Sequence, residues 1–410
     1  MMAGGTRHYI SVTFAYWGFT LSDGALRMLV LLYFYQLGFT PFILALLFLL
    51  YEAAGIIANI SGGWLATRFG IRPMLGAGLL LQIAGLLLLA ALPIGWSGGA
   101  SVIWVLCAQG ISGIAKDLTK TASKSAIKLT SPKQSIETNN QLYRLVSWFT
   151  GSKNAMKGVG FFAGGVLLQL IGFSASLFLM AALLGLVFVF VLISLPRGLG
   201  QASASRSPQE LLAKNAAVNW LSAARIFLFA ARDIWFVVGL PVFLYANGWH
   251  FAEVGGFLAI WIIAYGFVQA LAPRFTRIST DGLSREVPAA RLWSGLLMLI
   301  PLTMGMMLAM DIGAPVMVVI FGLMLFGFIF AVNSALHSYL ILAYAGDQKT
   351  AEDVGFYYAA NAAGRLLGTF LSGFVYQFGG MQANLLGASI LLMICFGLSA
   401  KLPLKTGTHL

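Results

Sequence analysis

The chain has 410 residues, of which 59% are hydrophobic and 9% charged. A soluble globular protein carries about 25% charged residues, so this composition excludes one and points to an all-α, polytopic membrane protein. The formal charge of +12 would suggest nucleic acid in a soluble chain; here its placement between apolar segments decides, and no nucleic-acid partner is expected.

A helix of about 20 apolar residues spans the hydrocarbon core. Gly, Pro and charge breaks delimit twelve such spans, near 9–37, 41–67, 73–92, 100–124, 147–170, 173–195, 216–245, 251–273, 291–309, 314–344, 354–376 and 381–401. The first lacks the short apolar region and small-residue cleavage site of a signal peptide and reads as a retained helix. Residues 196–215, PRGLGQASASRSPQELLAKN, are polar and rich in small residues, the composition of a linker. The expected organisation is an N-terminal six-helix bundle (1–195), a cytoplasmic linker (196–215) and a C-terminal six-helix bundle (216–410).

An internal repeat supports the division. A shift of 210 places Phe19 on Phe229, Asp23 on Asp233, Tyr35 on Tyr245 and Gly38 on Gly248. A shift of 208 places Lys157 on Arg365, Gly160 on Gly368, Gly165 on Gly373 and Gln169 on Gln377. The first and seventh spans match, as do the fifth and eleventh, in two parallel-related halves. With the N-terminus inside, the basic residues outside the spans fall on inner loops and tails and the outer connections carry none, so both termini are expected in the cytoplasm.

Within the spans stand Arg27, Lys116, Lys153, Lys157, Arg225, Arg232 and Arg365, with Asp23, Glu52, Asp117 and Asp233 and, near an outer end, Glu253. Each charge at a helix centre costs about 2.5–3.5 kcal/mol on insertion scales, so these groups must face protein or water. Cations outnumber anions, whereas a purely structural network tends toward pairing. The expectation is a central cationic cavity for an anion. Arg27, Lys157, Arg232 and Arg365 are the candidate ligands, Lys116 and Lys153 lie at the inner approach, and Tyr16, Asn154, Asn361 and His337 are polar companions. Asp23, Asp233 and Glu52 either orient the arginines or carry protons. In the competing account, Asp23–Arg27 and Asp233–Arg232 are ion pairs that only hold helices in register. Lys116, Lys120, Lys124 and Lys128 form a basic stripe, read either as an approach path for an anion or as a solvated, snorkelling helix end.

Gly160, Gly164 and Gly165, and Gly364, Gly368 and Ser372, are spaced for close helix approach. Cys107 and Cys395, the two cysteines, lie in apolar runs and indicate neither a disulfide framework nor a metal site. No phosphate-cradling loop, metal-ligand set or nucleophile–base pair is visible, so neither an enzyme nor a cofactor is expected.

Two parallel six-helix halves with a cytoplasmic linker resemble the major facilitator superfamily. The loop Gly63-Trp-Leu-Ala-Thr-Arg-Phe-Gly-Ile-Arg-Pro73 is similar to that superfamily's cytoplasmic gating motif through Gly63, Arg68, Gly70 and Arg72, and departs from it at Thr67, where Asp is usual. Arg68 and Arg72 equally suit topology anchors. The Gly160-to-Gly165 run resembles the antiporter motif, with Phe161 at the proline position. More specific are AYWGFTLSDGALRMLVLLYF from Ala15, SGIAKDLTKTASKSAIKL from Ser112, GSKNAMKGVGFFAGG from Gly151, LSAARIFLFAARDIWFVVGLP from Leu221 and EVGGFLAIWIIAYGFVQALAPR from Glu253. These resemble the ArsJ-type organoarsenical efflux permeases.

That resemblance implies a monomeric bacterial inner-membrane transporter exporting 1-arseno-3-phosphoglycerate. This arsenate ester forms when glyceraldehyde-3-phosphate dehydrogenase accepts arsenate, so the resemblance implies a functional link to that enzyme and arsenate resistance as the outcome, with proton coupling left open. The rivals are a proton-coupled multidrug exporter of the same superfamily and a membrane receptor or scaffold without transport activity.

Overall fold

The computed structural model describes residues 2–92, 98–130, 136–196, 199, 215–275, 279, 283–345 and 350–404, with side chains for all of these except 2–7, 59–68, 124–130, 136–151, 273 and 350–352. The regular elements among them are helical. They are α1 (Met2–Gln36), α2 (Pro41–Leu47), α3 (Leu49–Phe69), α4 (Ile71–Ala90), α5 (Gly99–Thr130), α6 (Ile136–Ile171), α7 (Phe173–Ser194), α8 (Ala216–Phe236), α9 (Gly239–Ala246), α10 (Phe251–Leu271), α11 (Glu286–Ala309), α12 (Pro315–Tyr344) and α13 (Thr350–Ala400), with a 3-10 turn at Ala272–Arg274. Ten segments are long and apolar enough to cross a membrane. The last of these, Asp353–Ala400, is two helices joined at Gly380, where φ is 60°. Divided there, the ten become eleven, and the 35-residue α1 stands where the first span was expected.

Two spans are interrupted. The second is α2 followed by α3, and the seventh is α8 followed by α9. The cause is visible for the seventh: Pro241 has no N–H and its ring crowds the carbonyl of residue 237, which stops the helix there. Ser372 fills the gap, its Oγ accepting from the N–H groups of Val238 (3.0 Å) and Gly239 (3.2 Å).

Packing divides the described chain into two compact units, each borrowing a short piece of the other half of the sequence. One holds α1, α3 from Leu50, α4 to α7 and α10 as far as Ile263. Its closest contacts run through glycines: a methyl group at Gly164 would lie 2.5 Å from the Ala25 carbonyl oxygen, and one at Gly24 would lie 2.7 Å from that of Lys157. Helix α6 also meets α10, where a methyl at Gly158 would come within 2.9 Å of the Ala259 carbonyl oxygen. The second unit holds α2, α8, α9, the rest of α10 and α11 to α13. There a methyl at Gly368 would lie 2.8 Å from the Ala230 carbonyl oxygen, and the Phe42 N–H of α2 donates to Gln377 Oε1 at 3.2 Å.

The repeat read in the sequence has structural counterparts. Gly38 (φ 86°) and Gly248 (φ 88°), related by 210, both turn the chain before the next helix, and Gly172 (φ 76°) and Gly380 (φ 60°), related by 208, do the same. A left-handed φ is cheap only for glycine, which explains the residue type at all four joints. Gly165 packs on the backbone of Phe251, and its mate Gly373 packs on that of Pro41; residues 41 and 251 are themselves separated by 210. Large apolar side chains such as Ile193 and Phe378 point outward, 81% and 78% exposed, as a lipid-facing surface requires. Most of residues 196–215, and the side chains of Gly63, Arg68, Lys124 and Lys128, lie outside the described residues.

Candidate functional site

Many of the membrane charges fall into two clusters, one within each unit. In the first, Arg27 of α1 donates through Nη2 to Glu52 Oε1 of α3 at 2.6 Å. Lys116 Nζ of α5 is 3.8 Å from Glu52 Oε2 and 3.8 Å from Asp117 Oδ2, and Lys120 Nζ is 3.5 Å from Asp117 Oδ1. Tyr51 sits at the centre. Its hydroxyl donates to Asp23 Oδ1, and its ring centroid lies 4.8 Å from Arg27 Cζ and 3.9 Å from Lys116 Nζ. Arg27, Lys116 and Lys120 thus face Asp23, Glu52 and Asp117, a network balanced in sign.

This differs from the Asp23–Arg27 pair of the competing account. Asp23 and Arg27 share a face of α1, yet Asp23 is taken up by Tyr51, and the partner of Arg27 is Glu52. Four-residue spacing makes a pair geometrically available, but a phenol and a carboxylate from α3 compete for the same two groups and win. The inner lysines of the α5 stripe, Lys116 and Lys120, are likewise held by carboxylates.

Tyr16 is buried one turn before Thr20, whose Oγ1 donates to the Tyr16 carbonyl at 2.7 Å. Lys153, Asn154 and Lys157 are half-buried on α6, with Lys157 Nζ 5.6 Å from the Phe161 ring centroid. Near the junction of α3 and α4, Gly70 takes φ 81° and Arg72 donates to the Leu192 carbonyl at 2.8 Å. Arg72 therefore caps the C-terminal turn of α7, a place that favours a cation. Gly160 and Gly164 are contact points of α6 on α1, and Gly165 is a contact point on Phe251 of α10.

In the second unit Arg232 places Nε 2.6 Å and Nη2 2.5 Å from the same oxygen, Asp233 Oδ1. Arg365 Nε of α13 approaches the other oxygen, Oδ2, at 3.6 Å. One carboxylate therefore serves two guanidiniums on different helices. The Arg232 guanidinium also lies 4.7 Å from the Phe229 ring and 5.6 Å from that of Phe330, positions that stabilise a cation through ring quadrupoles. Asn361 accepts from Arg225 Nε at 2.9 Å, and His337 is fully buried on α12. Spacing alone left Asp117 without a role, and left Tyr51 and Arg225 unassigned as well. Tyr51 is an unremarkable aromatic until α1 is packed beside it, and Arg225 lacks a carboxylate neighbour in sequence. Among the described residues no set of three or more His, Cys, Asp or Glu is placed to hold a metal ion.

Apolar helices long enough to cross a membrane, with charge buried among them, define a polytopic membrane protein. The chain matches the model of the Major Facilitator Superfamily over residues 12–351, and it belongs to that superfamily. Solved structures share the fold: a peptide transporter POT in complex with sulfate (TM-score 0.71, 17% identity, 98% of this chain and 96% of that one) and a D-xylose-proton symporter (TM-score 0.72, 12% identity, 100% and 99%). A local sequence match links it to multidrug resistance protein MdtH of Yersinia pestis (strain Pestoides F) and of Yersinia pseudotuberculosis serotype O:1b (strain IP 31758), 35% identical over 98 residues. That match spans 24% of this chain and 23% of those relatives.

Proposed function

We propose that this transporter exports a small organic oxyanion, with the arsenate ester 1-arseno-3-phosphoglycerate as its cargo, by alternating access across a bacterial inner membrane with both termini in the cytoplasm. The observation that carries the reading is the Arg232–Asp233–Arg365 cluster. Arg232 meets no other carboxylate among the described residues, and the one it meets is shared with Arg365. Two guanidiniums from different helices converge on this carboxylate, and such a cation-rich site is complementary to an anionic cargo. Arginine forks suit arsenate and phosphate oxygens, which they can grip with two parallel hydrogen bonds. Pentavalent arsenic in an ester presents oxygen rather than a thiophilic centre, so two isolated cysteines fit this cargo.

The balanced cluster around Tyr51 suits a different task. Glu52 and Asp117 are engaged by neighbouring cations and Asp23 by the Tyr51 hydroxyl, so the cluster holds α1, α3 and α5 together and offers Asp23 and Glu52 as proton carriers.

A second reading, a proton-coupled multidrug exporter, is favoured by the local match to MdtH. The two differ in the sign of the cargo. Proteoliposomes loaded with enzymatically generated arsenophosphoglycerate, and parallel samples with arsenite, free arsenate, phosphate and cationic dyes, separate them: the oxyanion reading expects flux of the ester, and flux of dyes alone supports the other.

A further inference from the structure

Arg225 is the buried cation that the shared-carboxylate cluster does not use. It stands on α8 seven residues before Arg232, two turns or about 10.5 Å along the axis, and is 4% exposed. Nε donates to Asn361 Oδ1 at 2.9 Å, Nη1 donates to the Ser334 carbonyl at 3.1 Å, and Nη2 reaches Ser338 Oγ at 3.5 Å. Its flat face lies 4.2 Å from the Phe229 ring centroid and 5.0 Å from that of Tyr357. All of these partners are neutral, and no carboxylate comes within ion-pair distance of Arg225 among the described residues.

A guanidinium offers five N–H donors, and only three are directed at these groups. Beside it, on the turn of α12 that carries Ser334 and Ser338, His337 is completely buried with neither ring nitrogen bonded. Tying three helices together needs only a neutral amide, whereas a buried cation without a counter-ion is costly. A site with spare donors, a full positive charge and an unbonded imidazole is complementary to an anion.

We propose that Arg225, Asn361 and His337 form a second oxyanion pole within this unit, holding one terminal anionic group of the cargo while Arg232 and Arg365 hold the other. The inference rests on the oxyanion reading above and adds the residues that hold the second end of such a two-ended anion. Inorganic phosphate and arsenate, with a single centre, engage one pole only and are discriminated against.

The test uses the full-length protein in nanodiscs and calorimetric binding of 3-phosphoglycerate, which is anionic at both ends, glycerol 3-phosphate, which is anionic at one, and inorganic phosphate. Losing one charge-assisted contact set corresponds to about tenfold or more in affinity, so the wild type binds 3-phosphoglycerate tighter than the other two by that factor. Arg225→Gln collapses the ratio toward one while single-ended binding persists at the other pole. Asn361→Ala and His337→Phe reduce the ratio by smaller factors, and they carry the test if Arg225→Gln does not fold. A wild-type preference that survives all three substitutions overturns this inference and leaves the oxyanion reading standing. Failure of all three anions to bind overturns both.

Discussion

Removing the carboxylate of Glu52 is the sharpest way to examine the balanced cluster. Glu52 and Arg27 are 1% and 6% exposed and 2.6 Å apart. At an effective dielectric near 20 their attraction is about 6 kcal/mol at that separation. Lys116, at 3.8 Å, adds about 4 kcal/mol on the same basis. Much of this is offset by desolvation, and removing one partner of a buried pair typically costs about 3–5 kcal/mol, because the other charge is left uncompensated. Glu52→Gln should therefore lower the thermal unfolding midpoint of the purified, detergent-solubilised protein markedly. The double variant Arg27→Met/Glu52→Met removes both charges at similar volume, and such replacements are neutral or stabilise by about 1–4 kcal/mol. It should restore the midpoint, leaving Lys116 and Lys120 with Asp117. A Glu52→Gln protein as stable as wild type, or a double variant no better than the single, would refute the assignment of this pair as the junction between α1 and α3.

Other consequences follow from particular contacts. Ser372→Ala strips the acceptor from two buried N–H groups at the α8–α9 break, costing about 1–3 kcal/mol for each donor left unsatisfied; a loss of folded protein is expected on fluorescence-detected size-exclusion chromatography. Gly160→Val drives a branched side chain into the backbone of Leu21 and Ala25 and should abolish folding. Gly185→Ala on α7 meets nothing within 4 Å and should raise stability by up to about 1 kcal/mol through helix propensity. Arg72→Ala removes a charge-assisted bond to the end of α7, so a drop of about 1.5–3 kcal/mol is expected in the same stability assay.

The span boundaries were legible because the breaks are chemical. Gly38, Gly172, Gly248 and Gly380 adopt backbone angles that other residues avoid, and each stands at a joint the apolar runs already marked. The break of the seventh span was legible in principle from Pro241 but hidden inside a continuous apolar run. Charge pairing was much less accessible. That Arg27 meets Glu52 rather than Asp23 depends on which face of α3 turns toward α1, and spacing along one helix contains no information about a neighbour. The same holds for Arg225, whose neutral surroundings come from α12 and α13. Asp233 was recognisable as a partner of Arg232 because the two are adjacent, while its contact with Arg365 needed α8 and α13 to be packed.

Arg232 and Arg365, converging on Asp233, are proposed to bind the anionic cargo. Arsenic flux into everted vesicles supplied with enzymatically generated arsenophosphoglycerate, compared between wild type and Arg232→Ala and Arg365→Ala proteins inserted at equal levels, tests this most directly. Robust flux in the wild type and background flux in both variants is the predicted result; wild-type rates in the two variants would contradict it.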